Sequence, residues 1–479
     1  MTSLFRRKSL AQLHAEAEGQ VLRRVLGPLD LTALGIGSII GTGIFVLTGV
    51  AASQHAGPAL VLSMTFAAVA CGFAGLCYAE LASMIPVAGS AYTYSFATLG
   101  EFAAWIIGWD LILEYALSAS TVAVGWSGYF VSLLDSMGLY LPRALTAAPG
   151  VQVSMAGGTT NHGIFNLPAA IITLMVTTLL VRGIKESART NTVLVIVKAL
   201  VLVVFVVAGA SYVKSDNLHP FMPPNTGEWG VFGWSGVLRA TGIIFFAFIG
   251  FDAVSTAAQE TKNPQRDLPI GILASLVICT VLYVAVGIVL VGIVHYSKLN
   301  VPAPLAVGID ATGLTWLSPL IKLSALFGMF STMLVQLLGQ TRIFYSMSRD
   351  GFLPAAFGRV HDKFRTPHVS TLLTGSVVAV AAGLTPIDVL GQLVSMGTLL
   401  AFVLVCIGII VLRKTDPHAP RPFKVPFMPW IPIAGAVACL LQMFALPWPT
   451  WERLFIWLAI GLVVYFGYGQ KRAERLRAT

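Results

Sequence analysis

Charged residues are scarce in this sequence. Only 11% of its 479 residues are Asp, Glu, Lys or Arg, whereas 56% are hydrophobic and the mean hydropathy is +0.81. Soluble proteins carry about 25% charged residues, so this composition excludes an ordinary soluble globular chain and predicts an integral membrane protein. The length allows about twelve membrane spans of ~20 residues with short loops.

Cysteines and catalytic motifs are also few. The five cysteines fall within apolar stretches, which argues against a disulfide framework and against a CxxC metal site. There is no H-E-x-x-H and no G-x-x-x-x-G-K-[ST], so nothing indicates a metalloenzyme or ATP hydrolysis. A channel would need a continuous polar pore, and a membrane-embedded transferase would need a His- or Asp-based catalytic cluster at the end of a span. The sequence shows neither pattern, so it favours neither of these two classes. We therefore expect no enzyme activity, no cofactor and no metal ion.

The net charge of +9 is distributed unevenly along the chain. When residues 1–28 are placed in the cytoplasm, 23 of the 30 Lys and Arg residues fall in inner loops and tails, and only six at the outer side. This asymmetry follows the positive-inside rule. It predicts a multi-pass protein of the inner (plasma) membrane with both termini cytoplasmic, and it does not indicate binding to nucleic acid.

Long apolar stretches, separated by polar and Pro-rich connections, predict twelve spans. They lie near residues 29–54, 59–84, 100–134, 165–183, 189–213, 235–258, 269–295, 316–348, 369–385, 388–412, 430–447 and 452–469. The longest outer connection is rich in Gly and Thr and runs from Arg143 to His162.

The first span contains an unusual concentration of glycine, in the sequence GIGSIIGTGIFVLTG from Gly35 to Gly49. Glycine destabilises a helix by about 1 kcal/mol relative to Ala, so the pattern indicates a span that is interrupted. The alternative is close packing of helices through small residues, as in G-x-x-x-G pairs. Span six supports the interruption, because Gly250 and Asp252 lie in its inner half at the matching position. Interrupted spans at positions one and six are typical of two five-helix halves of opposite topology with a central binding site.

Ionisable residues at membrane depth are functional candidates, because each costs roughly 2.5–3.5 kcal/mol on insertion scales. Lys198 lies within the apolar sequence TVLVIVKALVLVVF of span five, and Asp110 and Glu114 lie four residues apart on one face of span three. Asp252 follows the interruption of span six. The structural alternative is a buried ion pair between Lys198 and one of these acids.

The sequence resembles the bacterial cationic amino acid transporter family, within the amino acid–polyamine–organocation superfamily. The shared motifs cover spans one to ten and are GIGSIIGTGIF, AGPALVLS, AGLCYAEL, PVAGSAYTYSFATLGEF, GWDLILEY, FAFIGFDAVSTAAQETKNPQRDLPIGI and GQTRIFYSMSRDGFLP. The resemblance implies an all-α integral membrane fold with 12 transmembrane helices. It is a leucine-transporter-type 5+5 inverted repeat with broken helices 1 and 6, plus two C-terminal helices.

This arrangement implies four regions of the chain. Residues 1–28 form a cytoplasmic N-terminal segment, residues 29–213 the first repeat with spans 1–5, and residues 214–412 the second repeat with spans 6–10. Residues 413–479 hold spans 11 and 12 and the cytoplasmic C-terminus.

The resemblance also implies where the substrate binds. The carboxylate of an amino acid is expected at the backbone after the first break, at Thr42 and Gly43, where a side chain on Gly43 would block its approach. The α-amino group is expected at the backbone carbonyls of Ile39, Phe246, Ala247 and Ile249. Elementary physics agrees, because helix N-terminal N–H groups attract anions and freed carbonyls attract cations.

The same resemblance places Met329 against the substrate side chain, with Glu114 or Asp252 as partners for a guanidinium. Family members with fourteen spans carry arginine and lysine, whereas this chain has twelve predicted spans and bacterial relatives include carriers of neutral amino acids. A bulky Met329 also leaves less room for a guanidinium. We therefore expect secondary active transport of a broad range of mostly neutral L-amino acids, such as alanine, by alternating access. The alternative is a transporter or exchanger of arginine and lysine.

Protons are the expected coupling ion. Sodium-coupled carriers of this fold hold the ion between spans one and eight, where Ser331 and Thr332 would supply oxygens, but Lys198 would compete for that space. A charged amine is costly among apolar side chains, so Lys198 is expected to load and release a proton. The expected partners are thus an amino acid, a proton and the lipid bilayer; the sequence does not identify any small membrane-protein subunit.

Overall fold

The structure is a computed structural model and describes residues 5–9, 12–13, 24–85, 87, 89–154, 160–183, 188–362 and 366–478. Its regular helices are α1 Pro28–Ile39, α2 Thr48–Ala51, α3 Leu60–Met84, α4 Ser90–Thr98, α5 Glu101–Ser136, α6 Leu167–Arg182, α7 Ala188–Ala210, α8 Gly233–Ile244, α9 Pro264–Ile293, α10 Pro304–Asp310, α11 Leu317–Arg349, α12 His368–Leu384, α13 Ile387–Thr415, α14 Trp430–Ala445, α15 Trp448–Val464 and α16 Gln470–Ala478.

Irregular helical segments connect several of these helices. Three have the wider π geometry, at Gly43–Leu47, Ala52–Ala56 and Tyr465–Gly469. Tighter 3₁₀ segments lie at Gly57–Ala59, Arg143–Leu145, Ser215–Leu218, Phe245–Phe248, Asp252–Glu260, Tyr296–Lys298 and Ala355–Gly358.

Helix ends follow local chemistry. Pro28 occupies the first position of α1, and the Asp30 carboxylate accepts the backbone N–H of Gly27 at 2.9 Å, which closes the N-terminal turn. At α6, the Asn166 side chain accepts the N–H of Ala169 at 3.3 Å, and the helix ends at Gly183 with a φ of 76°.

Eight helical segments within the described residues are long and apolar enough to cross a membrane. They are Gly43–Met84, Glu101–Ser136, Thr192–Ala210, Gly233–Glu260, Pro264–Ile293, Leu317–Arg349, Ile387–Thr415 and Trp448–Leu476. Four shorter apolar helices, α1, α6, α12 and α14, coincide with other predicted spans. The mostly helical membrane architecture is thus confirmed, whereas the number of twelve spans stays a prediction.

One departure from the all-α prediction lies in the long connection after α5. Strands β1 (Gln152–Ser154) and β2 (Thr160–His162) pair antiparallel, with Gln152 opposite His162.

The helices pack into two groups around the broken segments. In one group α9 packs against α1 and α3, and α3 packs against α8. In the other, α11 packs against α5, and α12 packs against both α6 and α5. Helix α7 contacts α1, α9 and α11, so it bridges the groups next to the first break.

Candidate functional site

The first predicted interruption is confirmed between α1 and the helical segment that begins at Gly43. Helix α1 ends at Ile39, and Ile40 has extended backbone angles (φ −72°, ψ 96°). Helical geometry resumes at Thr42, so the last carbonyls of α1 and the first N–H groups of the next segment lack helical partners. The carbonyl end of one half-helix and the amide end of another therefore meet at one place.

The second interruption follows α8. Phe245–Phe248 form a tight 3₁₀ turn, Ile249 is extended (φ −63°, ψ 137°), and Gly250 has a φ of +123°. A Cβ on Gly250 would lie 2.8 Å from the carbonyl carbon of Ser38, so glycine is required both for the backbone angle and for the close approach.

Glycine also lets the two interruptions touch. A Cβ on Gly43 would overlap the Cα of Ala247 and would lie 2.5 Å from the Cβ of Ala247. Both interpretations of the glycine-rich segment therefore apply, since it breaks the helix and permits close packing. The obstacle to a side chain at Gly43 is the facing backbone of the second interruption rather than the substrate carboxylate.

Lys198 on α7 binds the carbonyl end of α1. Its Nζ donates to the carbonyl oxygens of Gly37 at 2.5 Å and Ile40 at 3.0 Å, and to Ser331 Oγ at 3.4 Å. Thr332 Oγ1 lies 3.3 Å from each of the same two carbonyl oxygens.

The alternative of a buried ion pair is not supported by these contacts. No ion pair among the described residues includes Lys198, whose recorded partners are carbonyl oxygens and a hydroxyl. Another carbonyl of this turn, that of Ile39, accepts the Tyr283 hydroxyl at 2.8 Å.

A small cavity lies between the two interruptions, and the space in and around it that holds no protein atoms, open solvent included, is about 230 Å³. It is lined by Ser38, Ile39, Gly41, Thr42, Gly43, Ser118, Val122, Phe246, Ile249, Thr332 and Gln336. None of these lining side chains is charged. Five of the predicted substrate-binding residues are therefore brought together here, namely Ile39, Thr42, Gly43, Phe246 and Ile249.

Two buried hydroxyl groups lie in the cavity wall. Within the described residues, neither Ser38 Oγ nor Thr42 Oγ1 has a hydrogen-bond partner. A buried hydroxyl without a partner costs free energy on the order of 1–3 kcal/mol. These hydroxyls, with the amide end at Gly43, can bind a carboxylate, while Val122, Phe246 and Ile249 offer apolar contact.

Two of the predicted residues lie behind the cavity wall. Ala247 packs its backbone against Gly43. Met329 is fully buried. It lies near Thr42, since a Cβ on Gly125 would lie 3.2 Å from Met329 Sδ and 2.6 Å from Thr42 Cγ2.

The predicted acidic residues lie beyond the cavity, along α5 and the second interruption. Glu114 is one helical turn from the lining residue Ser118 and is within electrostatic range of Asp252. Asp252 accepts from the hydroxyls of Ser90 and Tyr115, each at 3.4 Å. Asp110 is fully buried, and neither of its carboxylate oxygens has a hydrogen-bond partner in the described ranges of the chain.

Sequence reasoning missed four lining residues: Ser38, Ser118, Val122 and Gln336. The available signals were a glutamine in the middle of an apolar span and a serine four residues after Glu114. In the part of the chain that the structure describes, no cluster of three or more His, Cys, Asp or Glu is placed to hold a metal ion.

A polytopic helical protein with a small central cavity between two broken helices belongs to the class of membrane carriers. The family model described as amino acid permease matches residues 26–465, so the chain belongs to the amino acid permease family. It is a multi-pass transporter of amino acids and not an enzyme.

Relatives from bacteria and plants cover nearly the whole chain. The branched-chain amino acid permease BcaP of Bacillus subtilis (strain 168) is 50% identical over 474 residues, covering 98% of this chain and 99% of the relative. The methylthioribose transporter of the same organism is 48% identical over 473 residues, 99% of each chain. A vacuolar cationic amino acid transporter 2 of Arabidopsis thaliana is 39% identical over 422 residues, 88% of this chain and 65% of the relative.

Proposed function

We propose that this protein carries neutral, mainly aliphatic L-amino acids, and that they bind in the cavity between the two interruptions. The supporting observation is the cavity itself, which has the amide end at Gly43 and, within the described residues, two hydroxyls without a partner, and which is also lined by Ile39, Phe246 and Ile249. The carbonyl of Ile39 already accepts the Tyr283 hydroxyl, and its second lone pair can accept an ammonium group. The substrate carboxylate would lie at Thr42 and Gly43. Its ammonium group would lie near the carbonyls of Ile39, Phe246, Ala247 and Ile249.

The lining side chains favour a neutral substrate. Val122, Phe246 and Ile249 are apolar, and the polar lining groups are hydroxyls and an amide. A cationic side chain would have to reach past Ser118 to Glu114 or Asp252 for a carboxylate partner. Transport of arginine or lysine therefore remains the alternative, with Met329 limiting the room for a guanidinium.

A second candidate substrate comes from the relative named methylthioribose transporter. Hydroxyls of Ser38, Thr42, Ser118 and Thr332 and the amide of Gln336 suit an uncharged polyhydroxyl solute. Such a solute has no carboxylate or ammonium group, so it would leave the charge-binding ends of the two half-helices unused.

The proposed architecture has twelve spans in two inverted five-span repeats, followed by two further helices. The two packed groups support it, because α1, α3, α8 and α9 would be spans one, two, six and seven, and α5, α6, α11 and α12 spans three, four, eight and nine. Each group thus draws two consecutive spans from each half. Both termini would lie in the cytoplasm and the chain in the inner (plasma) membrane, as the distribution of Lys and Arg indicates.

Coupling to protons through Lys198 is supported by its contacts. A positive charge on Nζ holds the carbonyls of Gly37 and Ile40 and the hydroxyl of Ser331 where a sodium ion would otherwise bind. Loss of the proton would weaken these charge-assisted bonds between α7, α1 and α11. The protonation state would thereby control whether the two packed groups can rearrange.

Counterflow in liposomes tests the transport proposal. Purified protein is reconstituted into liposomes loaded with L-leucine, L-alanine, L-arginine or methylthioribose, and entry of the labelled compound is followed. Saturable counterflow of leucine and alanine, faster than that of the other two, is expected. Counterflow of arginine or methylthioribose alone would contradict the proposed substrate class.

Lys198→Met tests the coupling. We expect wild-type protein to concentrate leucine under an inward proton gradient without sodium, up to about tenfold per pH unit for one proton. Lys198→Met should keep counterflow but lose this accumulation, because the methionine fills similar space without a titratable group. Sodium-dependent accumulation, or accumulation by the variant equal to wild type, would contradict the coupling role.

A further inference from the structure

A column of buried polar side chains continues from the cavity along α5 and α11. Ser118 and Gln336 line the cavity from these two helices. One helical turn further on each helix stand Glu114 and Gln340, which are 3% and 0% exposed. The direction is toward Glu101 of α5 and Arg349 of α11, the ends proposed to be cytoplasmic.

Helices α5 and α11 run antiparallel in close contact along this column. A Cβ on Gly125 would lie 3.2 Å from Met329 Sδ, and a Cβ on Gly108 would lie 2.9 Å from Met347 Sδ. Gln340 lies between these two contacts along α11. It is on the same face of α11 as Met347, because a separation of seven residues makes about two helical turns.

The Gln340 amide has no hydrogen-bond partner among the residues that the structure describes. A Cβ on the adjacent Gly339 would lie 2.5 Å from the Tyr115 ring, so Gln340 is level with Tyr115 and Glu114. Both amide atoms of Gln340, Nε2 and Oε1, are buried, and like Glu114 Oε2 they form no hydrogen bond within this described part of the chain. Leaving a primary amide unsatisfied in the interior is costly, so its partner is expected in another state of the transport cycle.

The unpartnered atoms match the chemistry of a zwitterion. The amide nitrogen of Gln340 can donate to a carboxylate, while its oxygen and Glu114 Oε2 can accept from an ammonium group. We propose that Gln340, together with Glu114, forms a second, inner binding site that holds the amino acid after it leaves the cavity and before it reaches the cytoplasm. This proposal rests on the proposed transport function and adds to it a release route between α5 and α11.

Sided transport kinetics test the inner site. L-Leucine uptake is measured in right-side-out and in inside-out membrane vesicles, for wild type, Gln340→Leu and the control Gln442→Leu. Gln442 on α14 is also a buried glutamine with an unpartnered amide oxygen, but it lies on a helix outside the column.

We expect Gln340→Leu to raise the KM for leucine at the inner face about fivefold to tenfold and that at the outer face less than about twofold. Gln442→Leu should change neither KM. The melting temperature of Gln340→Leu should not fall, because the change removes two unsatisfied polar atoms. Equal changes in the two KM values, or no change in either, would overturn the inner site. Gln340 would then bind only a structural water. Failure of wild type to transport leucine would instead refute the proposed function.

Accessibility provides a second, independent readout. Wild-type protein, whose five cysteines are all buried, gives the background for labelling by a membrane-impermeant methanethiosulfonate, and Gln340→Cys adds one thiol, which the proposed release route would expose during transport. The reagent should react from the cytoplasmic face and faster during leucine counterflow than at rest. A variant that transports leucine but reacts from neither face, or only from the outer face, would overturn the release route.

Discussion

Replacing Gly43 by alanine probes the contact between the two interruptions. The added Cβ would overlap the Cα of Ala247 and lie 3.0 Å from its backbone N, whereas ordinary contacts of a Cβ begin at 3.4 Å. The obstacle is backbone, which cannot rotate away as a flexible side chain can. Overpacking costs about 1–3 kcal/mol and exceeds the ~1 kcal/mol that alanine contributes over glycine in a helix. We expect a net loss of stability and a displaced cavity.

Gly72→Ala is the matched control, because nothing lies within 4 Å of a Cβ at that position in α3. Melting temperature and leucine affinity are measured for both purified variants. Gly43→Ala should melt below wild type and bind leucine at least tenfold more weakly, whereas Gly72→Ala should bind normally and melt no lower than wild type. A Gly43→Ala protein with wild-type melting and affinity would refute the backbone contact between the two interruptions.

Two further changes test other parts of the account. Met329→Ser removes a buried side chain beside Thr42 and Gly125, so arginine uptake in liposomes should rise relative to alanine uptake; an unchanged ratio would mean that Met329 does not limit the substrate side chain. Glu80→Gln should lower the melting temperature strongly, because the buried Glu80 pairs with Arg413 at 2.6 Å and Arg421 at 3.3 Å, and breaking such a group costs about 3–5 kcal/mol. The more exposed pair of Asp135 and Arg143 is the control, and Asp135→Asn should cost about 1 kcal/mol or less; equal effects would contradict the structural role of Glu80.

The interruptions of spans one and six were predictable, because the glycines between Gly35 and Gly49 and Gly250 are local features of the sequence. They also lie in spans that occupy corresponding positions, one and six, of the two halves. The partner of Lys198 was only partly predictable. The apolar residues around Lys198 in the sequence identified it as a functional candidate, and a location near the first break was expected. An acid and a carbonyl remained equally compatible as partners until the rotation of α7 against α1 was known.

The cavity wall was less accessible to sequence reasoning. Ser118 and Gln336 line it because of how α5 and α11 rotate and cross, which no local pattern reveals. The same rotation places Met329 behind Thr42 and leaves Glu114 one turn beyond the cavity. Strands β1 and β2 were missed because each has only three residues, too few for an alternating pattern.

We have proposed that the amino acid binds in the cavity between the interruptions, and Thr42→Val is the sharpest test of that binding. Valine keeps the shape of threonine but removes Oγ1, which is buried and has no hydrogen-bond partner among the described residues. Leucine binding to the purified variant should weaken about fivefold to tenfold, while the melting temperature without leucine stays equal to or above that of wild type. Unchanged leucine affinity together with a lower melting temperature would contradict the claim, because the hydroxyl would then serve the fold and not the substrate.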